Sequence, residues 1–259
     1  MLQKVKALFL VAILAFAACK PARKSFVQPS APAEVQVLAT IHKFHLNNHL
    51  YPYGKVTALI RKFNPDLIGI EIRPEDLRED QDYLAQFYPL EMRQVLLDFP
   101  RDKVYGLDWY GDEMKGQKLP ADVFKNEATE LGNIKKLERQ MNHDSLVAPK
   151  LLPLVALGER QVELAKTASP AQLNNGEYDV LTRQFYTVLE AAAEGTRFQK
   201  YTNFNRRRDE IIAENIVKLV QENLGKRIIF LIGANHRAGA INALKKLPAD
   251  KIKIIPVED

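Results

Sequence analysis

The chain has 259 residues, 46% of them hydrophobic and 27% charged, with one cysteine and a formal net charge of +5. That length suits one sizeable α/β domain, and a single cysteine excludes an internal disulfide. The positive charge does not mark a nucleic-acid partner: Lys4, Lys6, Lys20, Arg23 and Lys24 crowd the start of the chain, and without those five the remaining basic residues only equal the 32 acidic ones.

Lys4 and Lys6 precede an apolar run from Ala7 to Ala18. As a helix that run rises only about 18 Å, short of the roughly 30 Å hydrocarbon core, so residues 1–18 read as a secretory signal and not a membrane span. Phe16-Ala-Ala-Cys19 resembles the cleavage site of a bacterial lipoprotein, in which the cysteine is acylated and becomes the mature amino terminus. The other reading is an ordinary signal with an incidental cysteine. Residues 19–33, rich in Pro, Ala and Ser, read as the lipid-anchor cysteine and a flexible tether. The expectation is an exported, membrane-anchored lipoprotein facing the periplasm or cell exterior, with residues 34–259 as its single domain.

Val35 to Ile41 reads as a first strand ending at His42, and two further histidines, His45 and His49, follow in a polar stretch. His42 directly continues the apolar run, whereas His45 and His49 read equally well as surface-loop residues. Val56, Leu59, Ile60 and Phe63 have the spacing of a helix face, and Asn64-Pro65 ends that helix. Leu67 to Ile72 predicts a second strand that is apolar except for Glu71. A buried, ionised, unpartnered carboxylate is expensive, so Glu71 is expected to be paired, protonated or bound to a metal. Arg73, two residues on and on the same strand face, is one candidate partner. Glu75 and Asp76, after Pro74, read as charges at a helix start.

Glu75 to about Leu97 predicts helix, and Lys103 to Leu107 a short third strand ending at Asp108. Trp109 and Tyr110 belong either to a cleft or to the rim of the core. Residues 116–223 read as a helical insert, a lid or a homodimer surface, with a capping box at Ser169-Pro170-Ala-Gln172. Asn205-Arg-Arg-Arg-Asp209 opens its last helix. Arginine there suits orientation of a carboxylate, although Arg206 with Glu210 also fits a solvated i, i+4 pair. Arg227 to His236 is the most informative stretch: Ile228 to Ile232 shows no alternation, as in a strand covered on both faces, and Gly233 lets the backbone turn before His236. Ala238 to Leu247 predicts a helix and Lys251 to Val257 a terminal strand. The fold class expected is α/β: a mostly parallel central sheet with helices on both faces and the helical insert between the third and later strands. In such sheets ligands bind at the carboxyl ends of the strands.

Ala39-Thr-Ile-His42, Gly69-Ile-Glu71, Arg208-Asp209 with Ile212 and Ile216, and Gly233-Ala-Asn-His236, in this order, resemble the TraB, PrgY, GumN and Tiki superfamily. Its members carry two Gly-x-x-His motifs, a strand glutamate between them and an Arg-Asn or Arg-Asp helix motif. The resemblance spans Val35 to Leu244, with Ala39 standing where the pattern has Gly. It implies an α/β fold that gathers His42, Glu71 and His236 in one cleft, with Arg208 orienting Glu71 or a substrate terminus. For the Tiki branch it implies a peptidase acting on a peptide or protein through a divalent metal of the Zn, Mn or Co class, held by His42, Glu71 and His236. His45, Asp108 and Asp209 are candidates for supporting those groups. Two other functions stay open: a non-catalytic peptide-binding or sequestering protein using the same cleft, and an erythromycin-esterase-like hydrolase. His-Glu-x-x-His, Gly-x-Ser-x-Gly and a phosphate loop are all absent from the sequence, so the ordinary zinc-peptidase, serine-hydrolase and nucleotide-binding motifs lend nothing.

Overall fold

The computed structural model describes residues 31–259, so the predicted signal, Cys19 and most of the tether lie outside the described residues. In chain order come β1 (Ala33–Thr40), α1 (Tyr53–Phe63), β2 (Leu67–Ile70), α2 (Gln81–Phe87), α3 (Leu90–Asp98) and β3 (Val104–Gly106). Then follow α4 (Glu130–Met141), α5 (Pro153–Thr167), α6 (Pro170–Leu173), α7 (Glu177–Ala193), α8 (Gln199–Gln221), β4 (Arg227–Gly233), α9 (Ala234–Leu244) and β5 (Ile252–Ile254). The strands form one five-stranded sheet in the order β3-β2-β4-β1-β5, and every pairing is parallel. The α/β class with a parallel sheet is therefore what the chain adopts.

The unbroken apolar run in β4 has a direct cause. Ile229 and Leu231 point into one core together with Leu38, Ile70 and α1 residues such as Ile60. Ile228, Phe230 and Ile232 point into a second core with Val35, Val37, Ile212 and Ile216 of α8, and Leu244 of α9. A strand in mid-sheet with helices on both faces has no solvent side, so its alternate positions need not differ in polarity. Gly69 of β2 lies beside this strand, and a Cβ there would come 2.5 Å from the Phe230 ring. Only glycine leaves room for that ring.

Several predicted boundaries shift. The Glu75–Leu97 helix is broken into α2 and α3 at Tyr88-Pro89, because proline cannot donate to the helix ladder and disfavours helical backbone before it. Glu75 and Asp76 do stand in the first turn of a short 3-10 helix, Pro74–Asp76, and Asp76 is buried there, accepting from the Tyr83 and Tyr88 hydroxyls at 3.0 and 2.5 Å. Within the expected insert, the stretch between Met114 and Glu130 carries turns, not helix. The helix predicted to open at Asn205 starts at Gln199, which places Arg206, Arg207 and Arg208 in mid-helix, and α9 begins at Ala234, so His236 lies in its first turn. No described helix is long and apolar enough to cross a membrane.

A buried polar chain ties the site end of the sheet to the helices. Arg237 donates to Asp179 of α7 and, at 2.8 Å, to the carbonyl of Asn174, whose side-chain oxygen accepts the Ala39 N–H of β1 at 3.0 Å. Removing one member of such a pair strands a charge in the interior. Asp179→Ala is expected to lower unfolding free energy by about 3–5 kcal/mol in chemical denaturation. A loss below about 1 kcal/mol would place this pair among surface-like ion pairs and contradict the tying role.

Candidate active site at the strand ends

Four neighbouring strands, β1, β2, β3 and β4, stop at the same edge of the sheet, and within three residues of the end of each stands a reactive or charged group. Beyond β2 lies Glu71, beyond β3 Asp108, beyond β1 His42, and beyond β4 the first turn of α9 with His236. Arg208 reaches them from α8.

Glu71 is buried and fully engaged. Its Oε1 accepts from Arg208 at 2.8 Å and faces His236 Nε2 at 3.3 Å, and its Oε2 accepts the Gly233 N–H at 2.6 Å. Arg73, the sequence-based candidate, is not its partner: the chain turns after β2, and Arg73 instead faces Asp76 at 3.1 Å. Arg208 also forks onto Asp108, donating from Nε to Oδ1 and from Nη2 to Oδ2, both at 2.7 Å, and its guanidinium lies 5.3 Å from the centre of the Tyr110 ring. Trp109 does stand at a rim, stacked on Phe204 at 5.0 Å. Neither arginine neighbour in the triplet joins the site: Arg206 bonds Asn203, and Arg207, rather than Arg206, pairs with Glu210 and also with Glu214 on the exposed face.

Each histidine ring is held by a carboxylate on Nδ1. His236 Nδ1 stands 2.5 Å from Asp209 Oδ1, and His42 Nδ1 stands 2.7 Å from Glu91 Oε1. Both rings thereby turn Nε2 toward the cleft. A Cβ built on Gly233 would lie 3.0 Å from His42 Nε2 and 3.1 Å from Glu71 Oε2, so those two atoms are at most about 6 Å apart. His42 sits at φ +49, a left-handed conformation uncommon outside glycine, with its carbonyl accepting from the Tyr53 hydroxyl at 3.1 Å. His45 faces away from the cleft: its Nε2 accepts the Ile41 N–H at 3.2 Å and its Nδ1 donates to the Tyr51 carbonyl at 2.6 Å, bracing the turn that carries His42. His49 is exposed and takes no part.

The environment raises both imidazoles. Burial works against a charge on His236, but the Glu71 carboxylate and the hydrogen bonds to Asp209 and Glu71 outweigh it and push the ring up to about 10. The stability this pairing contributes is fully present below 6.5 and is lost as pH rises through about 10. His42 is also raised, because the bond and charge of Glu91 exceed the opposing burial, while its side chain remains 45% exposed. Glu71 is held well below the usual carboxylate range: burial would raise it, and His236, Arg208 and His42 more than compensate.

Glu91 is the site residue that the motif reading passes over. Its signal is present in the sequence: Glu91, Met92, Val95 and Leu96 share one buried face of α3, so a carboxylate stands within an apolar helix stripe. The cleft itself encloses about 730 Å³, bounded by His42, Glu71, Arg208 and His236 at its base and by Lys43, Arg93 and several aromatic rings at its walls. That is the size of a small-molecule or short-peptide site. The donors suit a metal chemically, since imidazoles with Nδ1 on a carboxylate are the usual form of metal-binding histidine. Their arrangement suits it less: among the described residues no group of three His, Cys, Asp or Glu side chains stands in position to hold an ion, and a guanidinium already occupies Glu71. Comparisons with protein-family models, with curated proteins and with solved structures gave no match to this chain.

Gly233 is the contact point of the site, and Gly233→Ala tests that. The added methyl is expected to displace the His42 ring and to cost about 1–3 kcal/mol in denaturation, with β4 still paired. An NMR titration of the His42 ring that matches the parent protein would contradict the close approach.

Proposed function

We propose that the cleft is the active site of a hydrolase that adds water to an acyl carbon, in a peptide or a related ester, outside the cytoplasm and tethered by the segment before residue 31. The observation that carries this reading is the pair of carboxylate-held imidazoles on either side of an arginine-bound Glu71, in a cavity large enough for substrate. The leader pattern and the order of the motifs, which resemble the Tiki branch, support the location and the reaction class.

The chemistry follows from the proton positions. His42 keeps a proton on Nδ1 for Glu91, so when neutral its Nε2 takes the proton of a water as the water oxygen attacks the acyl carbon. The carbonyl oxygen becomes an alkoxide. Arg208 Nη1, which makes no hydrogen bond among the described residues, the His236 imidazolium and the amides opening α9 stabilise that charge. When the tetrahedral centre collapses, the leaving amine or alcohol recovers the proton from His42 Nε2. Glu71 and Asp108 keep Arg208 in place; neither touches the reacting atoms.

A second reading retains the residues and adds a divalent ion of the Zn, Mn or Co class, favoured by the Nδ1 bonds to Glu91 and Asp209. His42 Nε2, His236 Nε2 and Glu71, which do not stand in position for an ion in this arrangement, would have to draw together to hold it, and when bound it would polarise the carbonyl and acidify its water.

Mass spectrometry of a defined peptide and ester mixture incubated with the purified protein separates these readings. Cleavage is expected to fall by roughly 10²–10⁴-fold in His42→Gln. The rate of the parent protein should rise as pH passes the His42 value, above 6.5, and fall again near 10 as His236 loses its proton. Cleavage that is lost with chelator and restored by a stoichiometric metal supports the second reading. Peptide binding without turnover would replace both with a sequestering role.

A further inference from the structure

The cleft carries more positive charge than the reaction itself uses. Three of its wall and base residues, Lys43, Arg93 and Arg208, are basic, and Glu71 is the sole carboxylate among the described residues lining it. Glu71 is already covered by Arg208, His236 and the Gly233 amide. The other acids that balance the site, Glu91, Asp108 and Asp209, sit behind the imidazoles and the guanidinium and do not line the cavity. A ligand therefore meets the cationic side of each pair.

Lys43 and Arg93 are not spent on the protein. Arg93 gives only its Nε to the Tyr88 carbonyl, at 3.1 Å, and Lys43 has no closer described partner than the face of Phe44 at 5.9 Å. Unpaired cations gathered in one concave place, on a domain whose charges otherwise balance, form a site of positive potential. The opening turn of α9 adds to it: Ala234, Asn235 and His236 line the cleft, the helix has no side-chain cap at Gly233, and its dipole puts partial positive charge there.

Resting on the hydrolase reading, we infer that the cleft selects acyl substrates that carry an oxyanionic group close to the bond being cut, with Lys43 and Arg93 as the residues that receive it. A guanidinium fork and an ammonium suit a carboxylate, from a peptide's carboxyl terminus or from an acidic side chain, and neutral amides would leave both cations without a partner. The aromatic walls, Phe44, Tyr53 and Tyr178 among them, would take the uncharged remainder of the substrate.

Matched probes decide the point. Acetyl-tetraalanine is titrated into the purified protein as the free acid and as the carboxyl-terminal amide, alongside an amidated peptide with one internal Asp and its Asn counterpart. Calorimetry at low salt gives Kd, and mass spectrometry of the same samples follows cleavage. At least one acid should bind roughly tenfold or more tighter than its neutral twin, as charged hydrogen bonds of this kind contribute, and added salt should narrow the gap. Which acid is preferred tells a terminal carboxylate from a side chain. The double variant Lys43→Gln with Arg93→Gln, checked for fold by circular dichroism, should level the two. Equal Kd values for acid and neutral twins, no binding of either, or a preference that survives in the folded double variant would overturn the inference. Preference without cleavage would leave the charge selection standing and remove the hydrolase reading; cleavage of acid and neutral probes at equal KM would do the reverse.

Discussion

The double engagement of Arg208 holds this site together. One guanidinium from α8 binds Asp108 beyond β3 with two bonds and Glu71 beyond β2 with a third, so it fixes a helix against two strand ends at once. The Asp108 side chain is fully buried and Glu71 nearly so, which makes each carboxylate costly without the cation and the cation costly without them. Lysine carries the same charge but lacks the planar fork, so it could not make all three bonds from a single position. The next residue of the same helix, Asp209, then meets His236, so one turn of α8 sets both the anchor of Glu71 and the orientation and charge of the ring beside it.

His42 depends on a different kind of constraint. Its left-handed backbone costs free energy of order 1–3 kcal/mol, and the surroundings over-determine it: the Tyr53 hydroxyl holds its carbonyl, His45 holds the preceding amide, and Glu91 holds the ring. Those contacts come from the turn before α1, from the start of α1 and from α3, and none comes from α8. The two imidazoles are thus positioned by separate parts of the fold and meet only across Gly233 and Glu71. This separation lets their environments differ, with His236 enclosed by charge and His42 open to the cleft.

The sheet and its reactive edge were legible in the sequence because burial leaves a plain mark: runs such as Ile228–Ile232, and a lone carboxylate at Glu71 beside one such run. The identity of Glu71's partner was not. Arg73 is near in sequence, but the backbone turns after Ile70 and sends it to Asp76, whereas Arg208 lies 137 positions away and arrives only through packing of α8 on the sheet. Glu91 escaped for a related reason, since its partner His42 lies 49 positions away and the two meet only through packing of α3, whose buried stripe holds the carboxylate. Helix starts were displaced for residues Asn205 and Ala238 because polar residues inside α8, and small ones at the start of α9, hide the point at which regular structure begins. Position at the ends of apolar runs carried the gathering of His42, Glu71 and His236; it could not carry proton positions.

Those proton positions are what the catalytic reading rests on, and they are directly observable. Nitrogen-15 NMR of the imidazole rings in the purified protein, followed from pH 5 upward, reports the protonation of His42 and His236 separately. The expected result is that His236 keeps both ring protons at pH 8 and loses one only near 10, while His42 titrates above 6.5 and, once neutral, retains its proton on Nδ1. A His236 that is already neutral at pH 8, or two rings that titrate together at the ordinary value of 6.5, would contradict the division of roles between base and charge stabiliser.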